Sequence, residues 1–168
     1  MTVKDIAEQA DLPYGVIHYY FKSKDDIVAA MADSIISRYE GLLLERLRAA
    51  PSASERMKAG IDFLVDEFIF NHPLNRVFYN LVQMAFERKT VRNAFRKLLR
   101  VYRDHIAQMV SEGNEGGELS RKDALETASL IVALVEGMAL QWMVEPKSFE
   151  RDRIRKLIET TISRHLYG

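Results

Sequence analysis

Several residue types that mark other classes of protein are absent or scarce in this chain of 168 residues. It contains no cysteine, which excludes disulfides, thiol catalysis and cysteine-ligated zinc. Proline and glycine are few, with 4 and 8 residues, and strand-type alternation is hard to find, so helices are favoured over sheet. The longest apolar stretch, residues 128–144, is interrupted by Glu136 and Gln141 and is shorter than a typical membrane span. Because the start is polar and shows no secretory signal, we expect a cytoplasmic protein.

An excess of positive or negative charge is also lacking. The formal net charge is zero, whereas a protein that binds nucleic acid mainly through phosphates is usually basic. Residues 1–24 are no more basic than the rest, because three lysines are balanced by three acids: Lys4, Lys22 and Lys24 against Asp5, Glu8 and Asp11. Any DNA-binding function must therefore rest on a motif.

Helix starts and helical spacing are well marked. At four places a Ser or Thr stands three residues before a carboxylate and ahead of an apolar run with i, i+3, i+4 spacing, as in a capping box: Thr2–Asp5, Ser23–Asp26, Ser52–Glu55 and Ser120–Asp123. The apolar spacing predicts two short helices and then about six long ones, at 23–50, 52–71, 73–86, 90–112, 120–144 and 150–166. Hydrophobic residues make up 48% of the chain, which is enough for a packed core. The prediction is an all-α fold.

The two short helices have the pattern of a helix-turn-helix at residues 2–21. The first helix ends at Ala10, a tight turn follows at 11–13, and the second helix runs over 14–21. Ala7 and Ala10 are the small residues that the helix crossing requires, and three apolar residues can hold the pair together: Ile6, Leu12 and Ile17. The second helix ends in aromatic and basic side chains, which a recognition helix uses in the major groove.

The segment TVKDIAEQADLPYGVIHYYFKSKDDIVAAM, residues 2–31, resembles the second to fourth helices of the DNA-binding domain of the TetR family. The usual family pattern is T-x-x-x-I-A-x-x-A-G-V-S-x-G-x-x-Y-x-Y-F-x-x-K-x-x-L. Eight positions match it in register: Thr2, Ile6, Ala7, Ala10, Gly15, Tyr20, Phe21 and Lys24. Four positions depart from it, with Asp11 for Gly, Pro13 for Ser, Tyr14 for a frequent Lys or Arg, and His18 for the first Tyr. The segment LIVALVEGMALQWMV, residues 130–144, resembles the penultimate helix of the branch that includes the betaine-responsive regulators.

The resemblance implies a ligand-responsive transcriptional regulator, a repressor that binds a palindromic DNA operator as a homodimer and is released by a small-molecule effector. It implies a helix-turn-helix head at 1–45 and a helical-bundle domain for effector binding and dimerisation at 46–168. The positions that read bases in the family are here Tyr14, Gly15, Val16 and His18, and those that bind phosphate are Thr2, Tyr19 and Lys24. The head core would be formed by Ile6, Ala7, Ile17 and Phe21.

The family has one more helix ahead of the position of Thr2. We therefore expect that the start at Met1 lies too far downstream or that the chain is a truncated product. The same observation leaves an alternative open: a ligand-binding and dimerisation module that does not bind DNA on its own.

Candidates for an effector pocket are apolar and polar side chains scattered among the long helices: Phe63, Phe78, Asn80, Gln83, Tyr102, His105, Met138 and Trp142. Each apolar one, taken alone, is more often a core residue than a pocket residue. A buried Glu136 would need a partner, which a cationic ligand or Arg103 could supply, or it could lie solvated at a dimer seam. The last two helices are expected to pair with their symmetry mates through Leu130, Val132, Val135, Ala139 and Trp142 on one and Ile154, Leu157, Ile158 and Ile162 on the other.

Catalysis is not indicated. The four histidines, His18, His72, His105 and His165, do not have the spacing of metal ligands. No nucleophile and base stand in a suggestive pattern. We therefore expect no enzyme activity, no metal and no cofactor.

Overall fold

The computed structural model describes residues 2–117 and 123–167, and every regular element in these residues is helical. A π-helical turn, Val65–Ile69, continues α4, and a 3-10 turn, Pro146–Ser148, precedes α8. The all-α prediction is confirmed. The α-helices in the described part of the chain are α1 Val3–Gln9, α2 Tyr14–Tyr20, α3 Lys24–Arg48, α4 Ala53–Leu64, α5 His72–Glu87, α6 Lys89–Glu115, α7 Ala124–Val144 and α8 Arg151–Tyr167.

The predicted caps explain where these helices begin. Thr2 and Ser52 each form a complete capping box, in which the hydroxyl accepts an amide N–H and the acid three residues later reaches back. The Ser23 hydroxyl accepts the amide N–H three residues on and caps α3. The predicted start at Ser120 lies outside the described residues, and the carboxylate of Asp123 caps α7.

The main core lies among α3 to α8, with α7 packed against α5, α6, α8 and the π-helical turn. By length and composition α7 could cross a membrane, with a mean hydropathy of 1.5. The core helix of a globular protein has the same composition. One face of α7, including Ala128, Ile131 and Ala139, is buried inside this protein, so α7 is a core helix of the fold.

The packing of α7 and α8 corrects the residues predicted for the dimer interface. Only Leu130 and Leu157 of that set are exposed, at 52% and 56%. The others are buried or half-buried against the protein's own core: Val132, Val135, Ala139, Trp142, Ile154, Ile158 and Ile162. Helix α7 carries apolar residues on every face, so its sequence did not reveal which face points inward.

A different stripe of small and apolar residues remains uncovered on α7. Its members follow one another at alternating spacings of three and four residues, which is the a/d pattern of helices that pair along a seam. We call it the α7 stripe: Leu130, Ala133, Gly137, Leu140 and Val144. Gly137 is half-buried, and the other four residues are exposed.

Helices α3 and α6 run parallel and are joined by three ion pairs. The pairs follow one another in the same order along both helices, and we call them the α3–α6 ladder: Asp25–Arg88 at 2.5 Å, Asp33–Lys97 at 2.7 Å and Glu40–His105 at 2.9 Å. A small apolar cluster, which includes Ala32 and Val91, packs beside the first pairs. The ladder therefore fixes α3, which follows the helix-turn-helix, against the middle of the core.

The π-helical turn is held by α5. The amide N–H of Phe70 donates to the carbonyl of Val65 at 3.2 Å, the i to i−5 bond of a π-helix. Asn75 is fully buried, and its side-chain amide donates to the carbonyls of Phe68 at 2.9 Å and Ile69 at 3.1 Å. These carbonyls lie at a helix end, where carbonyls lack their usual i+4 partners, although that of Phe68 also accepts the amide N–H of Asn71 at 3.3 Å. Asn75 thus fixes the turn that presents Phe68 to the interior.

Candidate DNA-reading head and effector cavity

The turn between α1 and α2 explains a departure from the family pattern. Asp11 has a φ of 52°, in the left-handed region that glycine adopts without strain. The family has Gly at this position, and aspartate tolerates the region better than most side chains. The amide N–H of Leu12 donates to the carbonyl of Ala7 at 3.0 Å and closes the turn. The helix-turn-helix geometry is therefore retained with Asp11.

Helix α2 is exposed around most of its surface. Ile17 is its one buried residue, and α2 packs on α1, where Ala7 is buried. All four predicted base-reading residues are exposed: Tyr14, Gly15, Val16 and His18. A Cβ added at Gly15 would meet nothing within 4 Å. No protein contact therefore requires glycine at this position.

The predicted core of the head is only partly correct. Ala7 and Ile17 are buried, and Ile6 and Phe21 are half-buried. Leu12, predicted to hold the helices together, is 48% exposed because it lies in the turn. Tyr20, which matches the family pattern in register, is 72% exposed. Its ring instead packs edge-on against Tyr19, at 5.0 Å between centroids.

Two of the three predicted phosphate-binding residues lie at helix starts, and the third, Tyr19, lies in the last turn of α2. Thr2 caps α1, with its hydroxyl oxygen accepting the amide N–H of Asp5 at 3.2 Å. Lys24 is half-buried as the first residue of α3. Tyr19 is 83% exposed. Free amides at a helix N-terminus and an adjacent cation suit a phosphate, so Lys24 has favourable surroundings for that role.

Two of the base-reading candidates bind each other. The Tyr14 hydroxyl and Nε2 of His18, one helical turn later, are hydrogen-bonded. Their rings pack edge to face at 4.5 Å between centroids. The two side chains therefore form one exposed unit on α2.

A cavity of about 40 Å³ lies among α3, α4, α5, α6 and α7, next to the π-helical turn. That volume has room for a few water molecules. Most of its wall is apolar or aromatic, and its polar atoms come from two tyrosines and two glutamates. The lining residues are Tyr39, Leu43, Gly60, Phe63, Leu64, Glu67, Phe68, Leu74, Tyr102, Ile106, Met109, Val132, Val135 and Glu136.

The two glutamates of the cavity differ in their partners. Glu67 accepts from Arg46 at 3.0 Å. Among the described residues, no basic side chain forms an ion pair with Glu136. Burial raises the pKa of Glu136, and the charge of Arg103 lowers it by less, so the net shift is upward. The cavity therefore contains a carboxylate whose ionised form is destabilised and would be restored by a cation.

The tyrosines around Glu136 are held neutral. Burial, with added repulsion from Tyr39 and Glu136, raises the pKa of Tyr102. Burial and the charge of Glu136 raise the pKa of Tyr79 to about 12. The Tyr79 hydroxyl donates to the main-chain carbonyl of Glu136 at 2.7 Å and so links α5 to α7. The acidic side of the cavity is therefore fixed in place from α5.

The structure brings together only two of the eight predicted pocket residues, Phe63 and Tyr102. Phe78 and Met138 are buried in the core away from this cavity. His105 binds Glu40 in the ladder. The other three also lie elsewhere, Asn80 and Gln83 on the exposed side of α5 and Trp142 against Phe70 at 5.0 Å.

Sequence reasoning missed several wall residues. Tyr39, Gly60 and Met109 lie on helices whose predicted spacing was correct, but the spacing alone does not say which helices converge. Glu136 was considered because it interrupts an apolar stretch, and that signal pointed to a cavity residue. The described residues contain no cluster of three or more His, Asp or Glu suited to a metal ion.

Family comparisons cover nearly the whole chain. Residues 1–31 match the profile described as bacterial regulatory proteins, tetR family. Residues 53–167 match the profile described as BetI-type transcriptional repressor, C-terminal. The HTH-type transcriptional regulator BetI of Escherichia coli K12 is 27% identical, over 98% of this chain and 83% of that protein.

Solved structures share the fold. A transcriptional regulator of Pseudomonas aeruginosa PAO1 superposes with a TM-score of 0.84 at 20% identity, over 95% of this chain and 77% of that one. A regulator of Saccharomonospora viridis in complex with choline has a TM-score of 0.82 at 20% identity, over 99% and 86%. The regulator FadR of Bacillus subtilis in complex with stearoyl-CoA has a TM-score of 0.81 at 18% identity, over 96% and 87%. Because ligands this different occupy one fold, the ligand chemistry must be argued from each cavity.

Proposed function

This chain belongs to the TetR family and is a transcriptional regulator of the BetI type, and we propose that it is a repressor that binds a palindromic operator as a homodimer and leaves it when a cationic small molecule fills the cavity. The proposed DNA-binding domain comprises residues 1–45, and the proposed effector and dimerisation domain comprises 46–168. Such a regulator works on chromosomal DNA, so the proposed location is the cytoplasm.

The observation that supports DNA reading is the exposure of α2. One buried residue, Ile17, anchors the helix, and the residues that match the base-reading positions of the family are all exposed. Tyr14, Val16 and His18 would contact bases, and Tyr19 and Lys24 would bind phosphate. Thr2 would add a phosphate contact at the start of α1. Gly15 would let the α2 backbone approach the DNA closely.

Gly15 provides a clean test of this proposal. Gly15→Ala adds one methyl group that meets no protein atom, so folding is retained while the approach to DNA is obstructed. We expect specific operator affinity to fall at least tenfold in a fluorescence-anisotropy titration. Gly41→Ala, at an exposed glycine of α3 that also has no neighbour within 4 Å, is the matched control and should bind normally. Equal operator affinity in both variants would contradict the placement of α2 against DNA.

The cavity supports a cationic effector with an apolar body. Aromatic rings of Tyr39, Phe63 and Tyr102 line it, and Glu136 offers a carboxylate that forms no ion pair with the residues that the structure describes. Aromatic faces and a nearby carboxylate both stabilise a cation. A quaternary ammonium has no N–H to donate, so these two kinds of contact are the ones that can hold it. The structural neighbour with bound choline agrees with this chemistry.

Glu136 and Glu67 form a matched pair for testing the effector class. Titration of choline by calorimetry should show affinity that rises with pH, because a cation binds the ionised form of Glu136 and burial favours the neutral form. Glu136→Gln should remove most of the affinity and its pH dependence. Glu67→Gln should have a smaller effect, because Glu67 is already neutralised by Arg46. Loss of affinity only in the Glu67 variant would contradict the proposed cation site.

The α7 stripe supports the homodimer. Its spacing is that of paired helices, and exposed Leu157 on α8 adds an apolar contact. Two protomers joined through α7 and α8 would form a four-helix interface with two-fold symmetry. Both recognition helices would then face half-sites of one palindrome. Release by the effector requires that it bind the non-DNA-binding arrangement more tightly.

A further inference from the structure

We propose that Tyr14 is a positioning residue for base recognition, because its hydroxyl donates to Nε2 of His18 and selects the histidine tautomer whose Nδ1–H reads an acceptor on guanine. This inference rests on the proposed reading of DNA by α2. In this inference Tyr14 orients His18 and His18 contacts the base, whereas the family pattern treats the two positions as separate contacts. It also depends on both departures from the usual pattern, at positions 14 and 18.

The geometry of the pair is specific. The two residues are four apart on one helix, so their side chains lie on the same face. The Tyr14 hydroxyl is bonded to the ring nitrogen of His18, and the rings meet edge to face. Both side chains are exposed, and Ile17 alone anchors α2 in the fold. The pair is therefore not needed to hold the core of the head.

The hydrogen bond determines what His18 offers to DNA. A neutral imidazole has one N–H donor and one bare nitrogen acceptor, and the partner of one nitrogen fixes the role of the other. A bare imidazole nitrogen is a better acceptor than a phenol oxygen, so the Tyr14 hydroxyl donates and Nε2 accepts. The proton then resides on Nδ1, and the Nδ1–H is the donor that remains available to DNA.

A single donor distinguishes base edges in the major groove. Guanine presents two acceptors there, N7 and O6, whereas the cytosine edge presents an amino donor that would oppose an N–H. An Nδ1–H donor therefore favours guanine over cytosine at one position of each half-site. Without Tyr14 the imidazole can exchange its tautomer and accept from cytosine, so discrimination falls while the phosphate contacts persist.

The tautomer can be measured without DNA. In the ¹⁵N-histidine-labelled protein at pH 8, where ordinary histidines are neutral, long-range ¹H–¹⁵N correlation should identify His18 as the Nδ1–H form. Tyr14→Phe removes only the hydroxyl and should shift His18 toward the Nε2–H form. Tyr20→Phe, which also removes one exposed hydroxyl from α2, should leave the His18 signals unchanged. The same tautomer in wild type and Tyr14→Phe would overturn the inference.

The recognition role is measured with operator variants. At pH 8, Tyr14→Phe should lower discrimination of guanine from cytosine about tenfold at one position per half-site, while non-specific affinity and its salt slope stay unchanged. Replacing that guanine with 7-deazaguanine should weaken the wild type more than Tyr14→Phe. In a His18→Ala background, Tyr14→Phe should have no further effect on base preference. Base preference unchanged by Tyr14→Phe would overturn the inference.

The outcomes separate this inference from the function on which it rests. If the wild type binds an operator but His18 is in the Nε2–H form, the positioning role is refuted and DNA reading stands. If His18 is in the Nδ1–H form but the wild type binds no operator, DNA reading is refuted, and the role of the pair in recognition is refuted with it.

Discussion

Gly137, in the middle of the α7 stripe, allows a prediction in which stability and assembly change in opposite directions. A Cβ added there meets no atom within 4 Å in the protein, and the same is true of Gly41 in α3. Alanine is favoured over glycine in a helix interior by about 0.8–1 kcal/mol. Each substitution should therefore stabilise the isolated protomer by that amount, or by roughly 2–4 °C in melting temperature for a chain of this size.

Gly137→Ala has a second effect if the stripe is the dimer seam. The new methyl group would lie between two α7 helices, and two-fold symmetry places one from each protomer near the same contact. Inserting a methyl group into a packed contact costs about 1–3 kcal/mol. The dimer dissociation constant should therefore increase about 5- to 140-fold, since each 1.4 kcal/mol corresponds to a factor of ten. Gly41→Ala should leave the dissociation constant unchanged.

Sedimentation equilibrium over a range of protein concentrations measures this constant, and thermal unfolding at high dilution measures the protomer. The reasoning requires both variants to melt higher than wild type when dilute, and only Gly137→Ala to dissociate more readily. A Gly137→Ala dimer as tight as that of the wild type, with its protomer stabilised as expected, would refute the α7 stripe as the seam.

Three further substitutions test the interior and the turn. At pH values above the ordinary glutamate pKa of 4.5, Glu136→Gln should unfold at a higher urea concentration than the wild type. The pKa of Glu136 is higher in the folded protein than in the unfolded one, so the wild type loses stability as the pH rises from the unfolded to the folded pKa. Parallel stabilities of the two proteins from pH 4 to 8 would contradict this. Asn75→Ala should lower the free energy of unfolding in urea by about 1–3 kcal/mol, because it removes two buried hydrogen bonds to the π-helical turn; exposed Asn93→Ala is the control, and an equal effect in both would refute the role of Asn75. At position 11, the melting temperature should be highest for Asp11→Gly, lower for the wild type and lowest for Asp11→Ala, because φ is 52°. An alanine variant as stable as the glycine variant would show that the turn is not strained.

Local features of the fold were predictable from sequence, because their causes lie within a few residues. Thr2 and Ser52 cap the helices that follow them, since each hydroxyl and its acid are three residues apart. The helix-turn-helix was found through its register of matched residues. The π-helical turn was not found, because residues 65–69 continue an ordinary helical pattern and the bond that fixes them comes from Asn75 on another helix.

Features that depend on which helices meet were harder to predict. Seven of the nine residues predicted for the dimer interface are buried or half-buried in the protomer. On α7 the cause is that the helix is apolar on every side, so Val135 and Leu130 look alike in the sequence but face opposite ways. Asn80 and Gln83 stood out as polar residues among apolar ones. The buried face of α5 is instead the one that carries Phe78 and Leu81. The cavity wall comes from five helices, and only the packed structure shows which side chains of each point toward it.

The α3–α6 ladder restricts how α3 can move when the effector arrives. Each of its partly exposed ion pairs contributes at most about 1 kcal/mol, but together they define a single register between two parallel helices. A slide of α3 by one turn, three or four residues in either direction, would place no acidic residue opposite Arg88, Lys97 or His105. Sliding is therefore opposed at all three pairs at once, whereas tilting about the pairs preserves them. A reading head attached to α3 would swing rather than translate, and its displacement would grow with distance from the ladder.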